Sequence, residues 1–145
     1  EYDYTVNKSV FTVSYKEIVK QLIAPIYIIN GENKKLVNAL WDTGAAYSYI
    51  SFNIINKLSL EKVDKKELDT ISFSEQIDGY KVDIGLKDLG KIPNRILYGI
   101  DITDTTKEYD AIIGMDIITM GDFIVSNHNL KTSFLFGIPP KSKFM

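Results

Sequence analysis

The length, composition and charge of the chain exclude several classes of protein: 145 residues, 45% hydrophobic and 25% charged, are typical of one globular domain. A net charge of −2 offers no basic surface for phosphates, and no apolar run reaches transmembrane length, so we expect neither a nucleic-acid partner nor a membrane span. With no cysteine and one histidine, His128, the chain lacks disulfides, thiol nucleophiles and the usual zinc ligands, so we expect no metal and no cofactor.

The first third of the chain predicts extended strands. Apolar and polar residues alternate over residues 1–15, and this period of two is typical of strands with one buried face. Residues 24–29 are an apolar run, and the Asn30-Gly31 pair that follows is a strong hairpin-turn signal. The returning strand is expected over residues 36–41, so the hairpin ends directly before an acidic residue.

That acidic residue, Asp42, begins the tripeptide Asp42-Thr43-Gly44. A carboxylate at the end of a buried strand costs free energy unless it is hydrogen-bonded or functional. Asp, Thr and Gly also form turns readily, so a structural turn is the simpler interpretation. A catalytic carboxylate is the alternative, and a second motif further along the chain bears on the choice.

The centre of the chain predicts a short helix and a second hairpin. Residues 51–58 combine a serine N-cap with helical spacing of apolar residues, and therefore predict a helix. The charged residues 61–69 are typical of a solvated loop. Residues 70–74 and 80–84 alternate on either side of residues 75–79, so we expect a β-hairpin with its turn at 75–79.

The last third of the chain predicts strands that complete the fold. Asp116 is expected to be the N-cap of a short helix or a brace for a loop, rather than an acid–base group. The predicted elements are strands at 91–100 and 110–114, a helix at 116–120, and a closing hairpin of strands at 122–126 and 130–136. All elements together predict an all-β fold, a closed or nearly closed barrel with one or two short helices.

We expect residues 1–145 to form a single domain. Its core is predicted at about residues 23–136, with residues 1–22 as an N-terminal strand extension and residues 137–145 as a tail. The compartment stays open: the protein is cytoplasmic, or exported if an upstream signal has been removed.

Two stretches of the chain together resemble the motifs of the retropepsin-like aspartic proteases. The first is Asp42-Thr43-Gly44-Ala45-Ala46, and the second is Ile112-Ile113-Gly114, about seventy residues later. The first stretch is more similar to single-domain bacterial members than to retroviral ones, and the resemblance covers roughly residues 23–136. It implies an acid-protease barrel in which the second motif packs beneath the first and supports the active-site loop.

The resemblance also implies an aspartic endopeptidase with Asp42, Thr43 and Gly44 as catalytic residues. Two aspartates held close together share one proton, so that one activates a water while the other hydrogen-bonds to the scissile carbonyl. Because the chain contains one Asp-Thr-Gly, the second acid must come from a second copy. We therefore expect a homodimer with Asp42 on its two-fold axis, Thr43 bonding across the axis, and Gly44 allowing close approach.

The substrate implied by the resemblance is an extended polypeptide, bound as a strand between the active-site loop and a flap. The predicted central hairpin is the candidate flap. An ordinary surface hairpin is the alternative interpretation. The expected substrate-binding residues are Gly44, Ala45, Ala46, Ser72, Phe73 and Ser74. The expected supporting residues are Ile112, Ile113 and Gly114.

Two functions from different classes remain open. The intact Asp42-Thr43-Gly44 favours a peptidase. The candidate flap contains one glycine, Gly79, and this leaves room for a catalytically inactive retropepsin-fold module that binds peptide or dimerises, since a fold alone does not give activity. Trp41 and Tyr47 could shape a pocket, although aromatic residues beside a strand more often belong to the core.

Overall fold

The computed structural model describes residues 10–69, 74–102 and 108–141. Two α-helices lie within these ranges, α1 at Phe52–Leu58 and α2 at Met115–Ile118, together with a 3₁₀ turn at His128–Leu130. The strands are β1 Val10–Ser14, β2 Ile23–Asn30, β3 Asn33–Trp41, β4 Tyr49–Ser51, β5 Lys62–Asp69, β6 Ser74–Leu86, β7 Gly90–Ile100, β8 Ala111–Ile113, β9 Asp122–Ser126 and β10 Ser133–Gly137. No helix in these ranges is long and apolar enough to cross a membrane.

Six of the strands close into a barrel. Their order is β2-β3-β8-β4-β7-β6, and β6 pairs back with β2, where Ile28 lies opposite Ile84. Both of these isoleucines are buried, as the inward positions of a small barrel require. The predicted fold, an all-β closed barrel with two short helices, is confirmed.

The first hairpin of the barrel is confirmed with a shift of one residue in its turn. Asn30 pairs with Asn33, so the loop consists of Gly31 and Glu32 rather than Asn30 and Gly31. Gly31 has φ of 62°, the conformation that the first central position of a II′ turn requires. This turn sets the register in which β3 returns to Asp42.

A separate three-stranded sheet, in the order β1-β10-β9, packs beneath the end of β3. Its aromatic side chains surround Trp41, with ring centroids 5.3 to 5.9 Å from the indole. These side chains are Phe11, Phe123, Phe134 and Phe136. Trp41 is 3% exposed, so the residue directly before Asp42 is anchored in an aromatic cluster.

The second hairpin differs from its prediction. Residues 62–69, expected as a solvated loop, form β5, and residues 75–79, expected as the turn, lie inside β6. The connection therefore falls at residues 70–73, outside the described residues, as does the predicted strand over 70–74 apart from Ser74. Among the described strands β5 pairs only with β6 and is mostly exposed, and such an outer strand tolerates charges that are typical of a loop.

The remaining elements lie close to their predicted positions, with two corrections. The helix predicted at 51–58 is α1, whose N-cap Ser51 accepts a hydrogen bond from the Ile54 N–H. The N-cap of α2 is Gly114, so Asp116 is not the cap. Residues 130–132, expected in the last strand, precede β10, because residues 128–130 form the 3₁₀ turn. Of the predicted N-terminal strands, β1 is described, and residues 1–9 lie outside the described residues.

Candidate active site

The Asp42-Thr43-Gly44 tripeptide forms a tight turn directly after β3. The Asp42 N–H donates to the Ile113 carbonyl at 2.8 Å, and the Ala45 N–H donates to the Asp42 carbonyl at 3.2 Å. The Gly44 N–H donates to Oδ1 of Asp42 at 2.8 Å. A Cβ on Gly44 would lie 3.1 Å from the same Oδ1, so glycine lets the carboxylate and the backbone approach. The turn thus fixes the direction of the carboxylate.

The Ile112-Ile113-Gly114 motif lies against this turn, as the resemblance implied. Strand β8 pairs in parallel with β3, with Ile113 opposite Trp41, and it pairs antiparallel with β4. It therefore lies between the strand that enters the loop and the strand that leaves it. Ile113 is fully buried and Ile112 partly buried, which fits a supporting role.

Gly114 is the point of closest contact between the two motifs. A Cβ at this position would clash with the Tyr47 carbonyl oxygen and would lie 2.7 Å from the Ala45 carbonyl oxygen. Two hydrogen bonds continue the contact, from the Met115 N–H to the Ala45 carbonyl at 2.7 Å and from the Asp116 N–H to the Ala46 carbonyl at 3.2 Å. The first turn of α2 is thereby joined to the active-site loop.

Asp116 braces the loop through Ser48, a partner that the sequence did not reveal. Ser48 is fully buried, its Oγ donates to Oδ1 of Asp116 at 2.6 Å, and its N–H donates to Oδ2 at 3.1 Å. The same Oγ accepts the Gly114 N–H at 2.9 Å. One hydroxyl and one carboxylate therefore tie the end of the loop to both sides of the Gly114 turn.

The candidate catalytic residues lie at the surface of the single chain. Asp42 is partly exposed, and Thr43 and Gly44 are exposed. Among the described residues no group of three or more His, Asp or Glu is placed to hold a metal ion. The arrangement in the single chain therefore presents one oriented carboxylate.

A second cluster joins the loop to the β5–β6 hairpin. The Tyr47 and Tyr98 rings meet edge to face, with a centroid distance of 5.9 Å and an interplanar angle of 82°. The Tyr98 hydroxyl donates to Oδ2 of Asp64 at 2.8 Å, and Nζ of Lys66 lies 3.7 Å from the Tyr47 ring centroid. Tyr47 is 37% exposed and therefore lies at the surface rather than in the core.

The electrostatics of this cluster follow from the hydrogen bond between Tyr98 and Asp64. Burial, followed by that hydrogen bond, raises the pKa of Tyr98 to about 12. The hydrogen bond from Tyr98 lowers the pKa of Asp64 below its usual value, and the Lys65 N–H and the charge of Lys66 add to the effect. Near neutral pH, Tyr98 is therefore a neutral donor and Asp64 an ionised acceptor.

The other predicted substrate-binding residues are only partly accounted for. In the turn that follows Gly44, Ala45 is partly buried and Ala46 is exposed. Ser74 is exposed and pairs with Asp69 at the end of the β5–β6 hairpin. Ser72 and Phe73 lie outside the described residues, so their assignment to a flap stays a prediction.

No family model and no curated protein matches the chain, but solved structures do. A retropepsin-like aspartic protease from Rickettsia conorii is 11% identical with a TM-score of 0.59, covering 92% of this chain and 98% of that one. EIAV protease, in complex with an inhibitor, is 23% identical with a TM-score of 0.53, covering 74% of this chain and 92% of that one.

A third solved structure, the retroviral protease-like domain of Ddi1 from Leishmania major, is 18% identical with a TM-score of 0.50. The match covers 81% of this chain and 95% of that domain. The chain therefore has the retropepsin-like fold, as its two motifs predicted. Identities this low concern the fold, and the activity has to be argued from the site.

Proposed function

We propose that the protein is an aspartic endopeptidase whose acid pair consists of one Asp42 from each chain of a homodimer. The observation that carries this proposal is the placement of Asp42 itself. Its carboxylate is oriented by Gly44 on a partly exposed turn, and β8 and the Ser48–Asp116 brace hold that turn from below. A fixed acid exposed on a rigid loop suits a role at a two-fold axis.

The proposed chemistry requires both copies of Asp42. Two carboxyl groups held close together cannot both ionise comfortably, so the pair keeps one proton. The ionised acid removes a proton from a bound water, whose oxygen attacks the peptide carbonyl carbon while the protonated acid hydrogen-bonds to the carbonyl oxygen. The protonated acid gives its proton to the carbonyl oxygen, so that a gem-diol results. The acid that took the water proton then passes it to the amide nitrogen while the other acid takes back one hydroxyl proton, the C–N bond breaks, and the amine and the new carboxylic acid leave.

Strand β9 is the surface that we propose for the second copy. Among the described strands it pairs with β10 on one side only, and its Phe123 stacks on Trp41 beside the active-site turn. Strand β1, at the other edge of the sheet, instead borders a cavity of about 340 Å³ that it shares with Pro25 and Tyr27 of its own barrel. The side of β9 that no described strand pairs with is therefore part of a strand that packs on Trp41, the residue directly before Asp42.

A two-fold pairing of β9 with itself is compatible with its side chains. If Ile124 lies on the axis, Asp122 of one chain meets Ser126 of the partner subunit, and no like charges face each other. Val125, which is 45% exposed in the single chain, would be covered by the same pairing. The two three-stranded sheets would then form one six-stranded sheet beneath both copies of Asp42.

The test is a comparison of wild type with Asp42→Asn on a diverse peptide mixture between pH 3 and pH 8, read by mass spectrometry. Asparagine keeps an oxygen for the Gly44 N–H but cannot act as an acid or a base. We expect cleavage to fall by roughly 10²- to 10⁴-fold. Glu32→Gln, which removes an exposed carboxylate from the first hairpin, is the control and should cleave like wild type.

Three outcomes would contradict the proposal. Equal cleavage by wild type and Asp42→Asn would place the chemistry elsewhere. Peptide binding by wild type with no cleavage at any pH would indicate the alternative, an inactive peptide-binding or dimerisation module. Sedimentation of wild type as a monomer at all concentrations, with cleavage that still depends on Asp42, would contradict the shared acid pair.

A further inference from the structure

Lys66 places a positive charge beside Tyr47, which lies close in sequence to the candidate active-site turn. Its ammonium group lies 3.7 Å from the centroid of the Tyr47 ring, within the range of a cation–π interaction. Tyr47 follows Gly44 by three residues in the active-site loop, and its ring is partly open to solvent. Lys66 belongs to β5, so the contact joins the active-site loop to the hairpin.

The strand that carries Lys66 and the ring that it contacts are joined by neighbouring residues. Asp64 and Lys66 are two residues apart in β5, so their side chains point to the same face of the strand. Asp64 accepts a hydrogen bond from the Tyr98 hydroxyl at 2.8 Å, and the Tyr98 ring in turn packs edge to face with the Tyr47 ring. Lys65 lies between them and points to the opposite face.

The charge of Lys66 is not neutralised by an ion pair in the described part of the chain. The ion pairs within 4.0 Å there join Lys62 to Asp78 and Lys91 to Asp83. The charge of Lys66 lowers the pKa of Asp64, the nearest acid on its own strand, but the two side chains form no ion pair within 4.0 Å. The Lys66 ammonium therefore keeps hydrogen-bond donors for a ligand while it lies over the ring.

We propose that Lys66 and Tyr47 form a subsite that selects peptides carrying a carboxylate side chain, Glu or Asp, at one position. This inference rests on the proposed function, because it requires an extended peptide between the loop and the hairpin. A carboxylate entering the subsite pairs with the ammonium, and the Tyr47 ring shields one side of the pair from water. A lysine side chain at the same position brings like charges together and is rejected.

The test uses peptides that differ at one position at a time, each carrying Glu, Gln or Lys there, and compares kcat/KM for wild type, Lys66→Gln and Lys66→Glu. For wild type we expect Glu to exceed Gln at one position by about fivefold, as for a favourable exposed ion pair. Lys66→Gln removes this preference, and Lys66→Glu reverses it in favour of Lys. Lys65→Gln and Lys65→Glu, on the opposite face of β5, are the matched controls and keep the wild-type preference.

A second measurement keeps the inference testable if turnover is slow or absent. Anisotropy of the same labelled peptides bound to Asp42→Asn, with and without Lys66→Glu, reports the subsite without chemistry. If wild type cleaves peptides but shows no acidic preference, or if Lys66→Glu leaves the preference unchanged, the subsite is wrong and the peptidase stands. If no peptide is cleaved but Glu peptides still bind better in a Lys66-dependent way, the peptidase is wrong and the subsite stands.

Discussion

The Ser48 hydroxyl donates to the Asp116 carboxylate at 2.6 Å, and this contact joins the two motifs of the site at their far ends. Ser48 lies six residues after Asp42, and Asp116 lies two residues after Gly114. Because Ser48 Oγ also accepts the Gly114 N–H, the brace satisfies a backbone donor that has no place in a strand or helix. We infer that the brace keeps the active-site turn rigid.

Ser48→Ala should therefore destabilise the protein and weaken catalysis. It leaves the Gly114 N–H and one Asp116 oxygen without a partner in a buried place, which costs about 1–3 kcal/mol. The free energy of unfolding from urea titration measures this loss. Thr119→Ala is the control, because the Thr119 hydroxyl bonds to the Met115 carbonyl in an exposed position. An equal loss for both variants would contradict the brace.

Gly114→Ala should lower the free energy of unfolding much more than the substitution of a glycine in an exposed turn. The added methyl group would meet the backbone carbonyls of Tyr47 and Ala45, which can move only if the active-site loop moves. We expect a loss of about 3 kcal/mol or more, with activity lost in any protein that still folds. Thermal unfolding and peptide cleavage measure the two effects.

The matched control for this variant is Gly31→Ala. Gly31 has a positive φ but nothing within 4 Å of an added Cβ, so alanine there meets backbone strain alone. The expected loss is about 1–2 kcal/mol with normal activity per folded molecule. If Gly31→Ala were the more damaging of the two, close packing at Gly114 would not be what holds the loop.

The sequence predicted the parts of this site that depend on local pattern. Asp42-Thr43-Gly44 and Ile112-Ile113-Gly114 were recognisable because each is a contiguous motif at the end of an apolar strand. Ser48 was not, since its role depends on a pairing with Asp116 across 68 residues. Asp116 was predicted as a helix cap because an acid at the start of a helix usually is one.

The predicted position of the central hairpin was wrong for a different physical reason. Strand β5 is an outer strand with few buried side chains. Its sequence is therefore rich in charged residues and lacks the alternation of apolar and polar residues that is typical of a strand with one buried face. The sequence of residues 61–69 therefore resembled a solvated loop. The contacts that give the strand its position, from Asp64 to Tyr98 and from Lys66 to Tyr47, join residues distant in sequence.

Tyr98→Phe should change how stability depends on pH. The pKa of Asp64 is lowered by its hydrogen bond with Tyr98, so the stability from that bond is present above the unfolded pKa near 4 and is lost as pH falls through the lower folded value. The pKa of Tyr98 is raised to about 12, so its contribution is present below about pH 10 and is lost between about pH 10 and about pH 12.

The measurement is the difference in Tm between wild type and Tyr98→Phe across this range of pH. We expect a constant difference between about pH 5 and about pH 9 that shrinks towards both extremes. Tyr80→Phe, a partly buried tyrosine on β6, is the control and should give a difference that does not follow this profile. A Tyr98→Phe difference that is independent of pH would show that the bond to Asp64 does not contribute.

Val125→Arg should weaken the proposed dimer and, with it, cleavage. In the β9 pairing Val125 lies opposite Phe123 of the partner subunit. Because the interface is two-fold, the arginine occurs in it twice. The substitution therefore buries a positive charge against an aromatic ring at two places. We expect the dimer Kd from sedimentation to rise roughly tenfold or more. Specific activity should fall at low enzyme concentration and recover as concentration increases, because dimer formation restores the acid pair.

Leu36→Arg is the control, since Leu36 is 53% exposed on β3 and lies outside the proposed interface. A Val125→Arg protein with wild-type dimer affinity would exclude β9 as the surface that brings the two copies of Asp42 together.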